Sequence, residues 1–337
     1  MAEGILRGAR TTEDESIEES LRPQRLYEFI GQKALKKRLS ILLEAGKQRN
    51  EAVDHILFYG PPGLGKTTLS HIVANELEVN IKLTSGPVIE RPADLAGLLT
   101  SLKEKEVLFI DEIHRLPKIV EEYLYSAMED YKIDIVIDKG PSARSVRLNL
   151  APFTLIGSTT RAGLITGPLR SRFGFLEHID YYPSEELYKI IFRSARILGV
   201  EIDEDGAMEI AKRSRGTPRV ANRLLKRVRD YAEVEGDGRV NKKTACDALT
   251  LFGVDDMGLD QFDKMLLRTI IEKFAGGPVG IKTLSVALCE DRGTIEELCE
   301  PYLLQTGLLK RTLRGRVATS NAYRQLGYDL PGPKRIL

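Results

Sequence analysis

Apolar positions in the first half of the chain fall in two alternating periods. Ile56-Leu57-Phe58-Tyr59 after His55, Val107-Leu108-Phe109-Ile110 and Phe153-Thr154-Leu155-Ile156-Gly157 are short continuous runs, the pattern of buried strands. Further strands are expected near Asn80 to Thr84 and Leu176 to Tyr181. Between them Leu69, Ile72, Val73 and Leu77 recur at helical spacing, and helices are expected at 33–47, 94–102 and 117–130. Strands alternating with helices imply an α/β fold with a mostly parallel sheet covered on both faces. Ile133 to Ile137 and Val146 to Leu150 alternate around Asp138-Lys139-Gly140-Pro141, which predicts a hairpin inserted into that alternation.

From about Pro183 the strand signal vanishes. Helices are expected at 184–198, 204–213, 218–234 and 242–251. After a short linker come helical segments at 262–274, 281–288 and 294–305. Two short strands then bracket Gly315. Three helices followed by a basic β-hairpin are the pattern of a winged helix-turn-helix. The expected division is an arm over 1–20, an ATPase domain over 21–182 with an inserted hairpin at 131–150, a helical lid over 183–253 and a winged helix over 254–337.

Charge sharpens this picture only locally. The net charge is +1, yet Lys310 to the C-terminus holds seven Lys/Arg against one acid, Asp329. The stretch from Lys212 to Arg229 holds eight Lys/Arg and no acid, whereas the first twenty residues lean acidic. Such runs are ordinarily solvated faces; the winged-helix pattern gives the last basic run a DNA-facing reason. Cys246, Cys289 and Cys299 are odd in number and widely spaced, so no disulfide framework is implied and a cytoplasmic location is expected. The four histidines lack metal-ligand spacing, and no apolar run has the length of a membrane span.

The chemistry concentrates in two motifs. Gly60-Pro61-Pro62-Gly63-Leu64-Gly65-Lys66-Thr67 matches G-x-x-x-x-G-K-[ST] between a strand and a helix. Gly63 and Gly65 let backbone N–H groups wrap a phosphate chain, and the helix adds its positive dipole end. Lys66 brings a charge to the terminal phosphates, and Thr67 can place a hydroxyl on Mg²⁺. The run ending in Asp111-Glu112 is the second motif. Asp111 is expected to hold Mg²⁺, and Glu112 to orient and deprotonate the attacking water. His114 nearby is read as a residue that packs or supports the site from behind, with no chemistry of its own. Thr160, delivered by the strand at 153–157, is placed to reach the γ-phosphate or the water. Arg219, in the first turn of a helix, opposes the dipole and so points to a role other than helix stability.

These residues together closely resemble the RuvB family of AAA+ ATPases, the bacterial Holliday-junction branch-migration motors. The likeness runs from about Leu21 to Tyr328. It is carried by Phe29-Ile30-Gly31-Gln32, Gly60 to Thr68, Leu108 to Leu116, Thr159-Thr160-Arg161, Ser171-Arg172-Phe173-Gly174, Arg215-Gly216-Thr217-Pro218-Arg219 and Arg314-Gly315-Arg316. It implies an ATP site lined by Leu21, Arg22 and Tyr182, with Thr68 joining Lys66 and Thr67. Thr160 and Arg219 become γ-phosphate sensors, and Arg172 an arginine finger for a neighbouring subunit. Glu129, Asp130 and Tyr131 also fall where the family's nucleotide site draws on residues. Arg292, Arg311 and Arg316 match DNA-contacting positions. The implied partners are four-way junction DNA, RuvA docked on the inserted hairpin, RuvC in the same complex, and a homohexameric ring. Two departures are visible: Ser158 stands where the family commonly has Ala, and Leu313 where it has Pro.

Other classes compete with an ATP-driven DNA translocase. One is a nucleotide-switched DNA-binding regulator resembling replication initiators. Another is a P-loop small-molecule kinase. Glu112 and a finger acting in trans favour turnover over switching, and a small-molecule kinase has no need of a lid and a winged helix.

Overall fold

A computed structural model describes residues 20–136 and 145–330. The arm through residue 19, the expected hairpin tip at Asp138 to Pro141 and the last seven residues lie outside them. The chain divides into two compact units, Glu19–Glu186 and Leu187–Leu337.

The first unit opens with α1 (Lys33–Arg49), β1 (Ile56–Tyr59), α2 (Lys66–Leu77), β2 (Ile81–Ser85), α3 (Pro92–Thr100) and β3 (Val107–Asp111). It continues with α4 (Lys118–Asp130), β4 (Lys132–Val136), β5 (Ser145–Asn149), β6 (Thr154–Thr159), α5 (Gly167–Arg170) and β7 (Phe175–His178). Five strands form one sheet in the order β2-β3-β6-β1-β7, and every pairing in it is parallel. The apolar runs read as buried strands are buried: Ile56, Leu57, Phe58 and Val107 to Ile110 are at most 2% exposed. Burying each such side chain contributes about 1.5–3 kcal/mol. Strand β6 lies between β1 and β3, which places the C-terminal ends Tyr59, Thr159 and Asp111 side by side.

Strands β4 and β5 pair antiparallel, Ile133 opposite Leu148. The base of this hairpin does not project freely. Ile133 and Leu150 are buried in the core of the unit, and Leu148 and Tyr131 pack against it. Val146 is exposed, and Arg147 forms an ion pair with Asp134 at 2.8 Å.

Helix α6 (Ser184–Leu198) leads into the second unit. There β8 (Glu201–Ile202), α7 (Glu204–Arg213), α8 (Pro218–Glu235), β9 (Arg239–Val240) and α9 (Lys242–Leu251) follow. The β8–β9 pair is parallel and corrects the all-helical expectation for this region; two residues per strand leave too little period to read in sequence. Next come α10 (Gln261–Phe274), α11 (Ile281–Leu288), α12 (Arg292–Thr294), a π-turn (Ile295–Cys299) and α13 (Glu300–Gln305). The expected single helix from Thr294 to Gln305 is thus broken. Pro301 has no N–H to give the carbonyl four residues back, so the ladder is re-routed there. The wing is β10 (Leu309–Thr312) and β11 (Gly315–Ala318), paired antiparallel, and α14 (Ser320–Leu326) closes the module.

Arg215 ties the lid helices to the winged helix. It is 7% exposed, donates to the Gly258 carbonyl at 2.8 Å, pairs with Asp263 and lies 5.1 Å from the centre of the Tyr302 ring.

Candidate active site and nucleic-acid interface

The glycine loop hangs from the end of β1 by a bond from the Gly60 N–H to the Thr159 carbonyl, 3.2 Å. At Gly60, with φ +143°, a Cβ would stand 2.4 Å from the Ile179 carbonyl oxygen, so no other residue fits. Gly63 and Gly65 also have positive φ, and Gly65 caps the twelve-residue α2. Lys66 begins that helix. It is 8% exposed, and its Nζ donates to the carbonyls of Gly60 and Pro61, both at 2.8 Å. A glycine cradle at a helix N-terminus with an ammonium held inside it is the arrangement that accepts a polyphosphate. Thr67 and Thr68 are half-buried in the first turn.

The expected base-binding residues gather on the same side of this loop in part. Tyr182 is 4% exposed and its hydroxyl donates to the Leu64 carbonyl at 3.3 Å; burial pushes its phenol pKa well above the ordinary value. A Cβ at Gly31 would meet the Tyr182 ring at 2.7 Å, and one at Gly65 would meet the Phe29 ring at 3.2 Å. Phe29 and Gly31 therefore pack closely against Gly65 and Tyr182, although only their place in a motif singled them out in the sequence. Leu21 is buried and Arg22 half-buried. Arg219 is exposed on the first turn of α8, in the other unit.

The acidic pair sits at the end of β3. Ser158, fully buried on β6, donates its hydroxyl to Asp111, and the Glu112 N–H donates to the Asp111 carboxylate at 3.0 Å. Glu112 adopts φ +51°, rare for a residue with a side chain, which turns the chain sharply after Asp111. Its carboxylate is about one-third exposed and lies 3.8 Å from His114 Nε2 and 4.0 Å from Arg115. His114 stands beside it, and its Nδ1 is 2.9 Å from the Thr159 hydroxyl. Thr160 follows at the strand end, half-buried.

Mg²⁺ keeps several waters and takes one or two protein oxygens when it binds with a nucleotide. Asp111 and Thr67 are a donor set of that kind. No cluster of three or more His, Cys, Asp or Glu able to hold a metal occurs among the described residues. The residues present thus fit a magnesium nucleotide rather than a metal caged by protein.

Arg172, Glu129, Asp130 and Tyr131 are not at this end of the sheet. The Met128 carbonyl bonds to His55, which immediately precedes β1, and the Tyr131 ring contacts Phe153, which precedes β6. Arg172 pairs with Glu129 at 3.0 Å, donates to the Pro168 carbonyl at 2.6 Å and lies 4.4 Å over the Tyr125 ring. Its Nε is buried without a hydrogen-bond partner among the described residues. Strand β6 spans six residues, and at about 3.3 Å per residue its ends are on the order of 20 Å apart. The four residues expected around one nucleotide therefore form a second cluster at the N-terminal edge of the sheet.

In the winged helix, Arg292, Arg311 and Arg314 are exposed. Arg316 corrects the expectation of an open guanidinium. It is 6% exposed, with Nε donating to Glu300 at 2.7 Å and Nη2 to Glu296 at 2.8 Å. It lies directly opposite Arg311 in the β10–β11 ladder, so the two side chains share one face, where Arg311 also stands 3.5 Å from Glu296, and its backbone exchanges bonds with Val279.

Comparison with known proteins agrees with this architecture part by part. Residues 21–179 match the Holliday junction DNA helicase RuvB P-loop domain, 182–255 the RuvB AAA lid domain and 256–327 the RuvB C-terminal winged helix domain. A Fusobacterium nucleatum protein named Holliday junction branch migration complex subunit RuvB is 60% identical over 307 residues, 91% of this chain and 92% of its own. One of the same name from Parabacteroides distasonis is 58% identical over 333 residues, 98% of each chain. The solved structure of the Thermotoga maritima RuvB Holliday junction branch migration motor superposes with a TM-score of 0.84 at 52% identity. It covers 93% of this chain and all of that one. The chain belongs to the RuvB family of AAA+ ATPases.

Proposed function

We propose that the chain is the ATP-driven motor subunit that moves Holliday junctions, working on four-way junction DNA as a homohexameric ring with RuvA, and with RuvC in the same complex. The observation that supports the reading is that the residues expected around one nucleotide lie at two ends of the sheet. The glycine loop, Asp111, Glu112 and Thr160 stand at one end, and Arg172 at the other. Mg²⁺ held by Thr67 and Asp111 would neutralise charge on the β- and γ-phosphates. Glu112 takes a proton from the attacking water, Lys66 holds the phosphates, and Thr160 reads the γ-phosphate. Arg172 of the adjacent copy stabilises the charge that develops, with Glu129 as its resting partner. Arg219 on the lid would report the same phosphate to the second unit.

DNA contact on this reading is backbone contact through Arg292 and Arg311, as suits a motor that must not read bases. Arg316, on the same face as Arg311, anchors the wing to Glu300 and Glu296. The exposed side of the β4–β5 hairpin, Val146 included, supplies the surface for RuvA.

The deciding test is a branch-migration assay on a synthetic four-way junction, with and without RuvA. Dissociation into full-length arms only with ATP and Mg²⁺ is the expected result. ATP-dependent assembly on DNA without arm exchange would favour the nucleotide-switched regulator.

A further inference from the structure

We infer that His114 is a positioning residue that couples the end of β6 to Glu112. The imidazole stands between two groups the hydrolysis reading needs, and the inference rests on that reading. Its side chain is 6% exposed. Nδ1 lies 2.9 Å from the Thr159 hydroxyl, and Nε2 lies 3.8 Å from the Glu112 carboxylate. Thr159 itself is fully buried, and its oxygen already accepts the Arg161 N–H at 2.9 Å.

The tautomer follows from the neighbours. A carboxylate beside Nε2 favours a proton on that nitrogen, because a lone pair would face a negative oxygen. Nδ1 then accepts from the Thr159 hydroxyl, whose own oxygen accepts from Arg161. The result is one directed chain: Thr159 O–H to Nδ1, and Nε2–H toward Glu112. At 3.8 Å the last link is an electrostatic contact rather than a hydrogen bond. It biases where the carboxylate rests without committing it.

The consequence concerns the adjacent residue. Thr160, expected to respond to the γ-phosphate, is one peptide away from Thr159. A displacement of the strand end therefore reaches Glu112 through a rigid ring rather than through a flexible chain. Glu112 also sits in a strained left-handed conformation, so its backbone cannot relax freely to compensate. The imidazole has the two faces such a link requires.

The test compares His114→Ala, Thr159→Val and the double variant in the full-length protein, with His114→Asn as the conservative control. Fluorescent mant-ATP with Mg²⁺ reads nucleotide affinity, thermal melting reads folding, and steady-state hydrolysis gives kcat and KM. We expect mant-ATP affinity and KM within about twofold of the parent and kcat lower by about tenfold, the scale of losing an outer-shell orienting partner. The double variant should fall no further than the singles, because both break one chain. His114→Asn keeps a partner for Thr159 but is too short to reach Glu112, so it should fold like the parent and still lose turnover. Parental kcat in His114→Asn, or losses that multiply in the double variant, would overturn the coupling. Glu112→Gln run in parallel separates the two ideas: if it hydrolyses ATP at the parental rate, water activation by Glu112 fails on its own account, whatever the His114 variants do.

Discussion

His55 shows how much a single buried side chain fixes in this protein. Nδ1 accepts the Leu155 N–H at 2.9 Å, which leaves Nε2–H to meet the Met128 carbonyl at 3.1 Å. The ring thus joins β1, β6 and the end of α4 in its neutral form. Burial lowers its pKa below the ordinary value, partly opposed by the Met128 carbonyl and by Asp54. A base with a lowered folded pKa binds its proton more readily in the unfolded chain. Its stabilisation is therefore present above about pH 6.5, the unfolded value, and is lost as the pH falls toward the folded value. Melting midpoints measured from pH 7.5 to 5.5 should fall more steeply for the parent than for His55→Gln; parallel slopes would remove His55 as the source.

At the scale of elements, the wing carries the sharpest revision. Arg316 is buried against Glu300, which is 1% exposed. Removing it leaves a buried carboxylate without its partner, a loss of about 3–5 kcal/mol. Arg316→Ala should therefore lower the melting midpoint of the full-length protein. Arg311→Ala should leave melting unchanged and reduce the slope of log DNA affinity against log salt by about 1, uniformly across sequences. If Arg316→Ala melted like the parent and lowered the salt slope instead, its guanidinium would be a phosphate ligand rather than an anchor. The sequence displayed the basic hairpin but not which of its faces is inward. That depends on Glu296 and Glu300, some fifteen to twenty residues away on a broken helix. The sheet strands were legible because they are buried on both faces and read as continuous apolar runs. The two-residue β8 and β9 and the π-turn were not, since neither leaves a period. The role of Ser158 was equally hidden: its hydroxyl matters only because β6 is the neighbour of β3, an order that no local pattern encodes.

For the whole molecule, the proposed role of Arg172 in a neighbouring copy would make turnover a property of the assembly. Arg172→Ala should bind mant-ATP normally and lose about 10³-fold or more in hydrolysis, the scale of an arginine finger. Lys66→Ala should instead lose binding. Mixed in one oligomer, the two variants should recover part of the activity, because each supplies what the other lacks. Mixed assemblies that form, by mass photometry, and remain inactive would show that Arg172 serves its own subunit. Here the motifs announced the residues, while their allocation to two ends required the strand order and the contacts of His55 and Phe153.

That allocation gives each ATPase unit a head and a tail. If that contact is made head to tail, it is heterologous and must be passed on to a third copy. A row of such copies always ends in one pocket with no donor and one donor with no pocket. On the proposed reading, an open chain of any length would carry a single idle site, and closing the ring would put it to work.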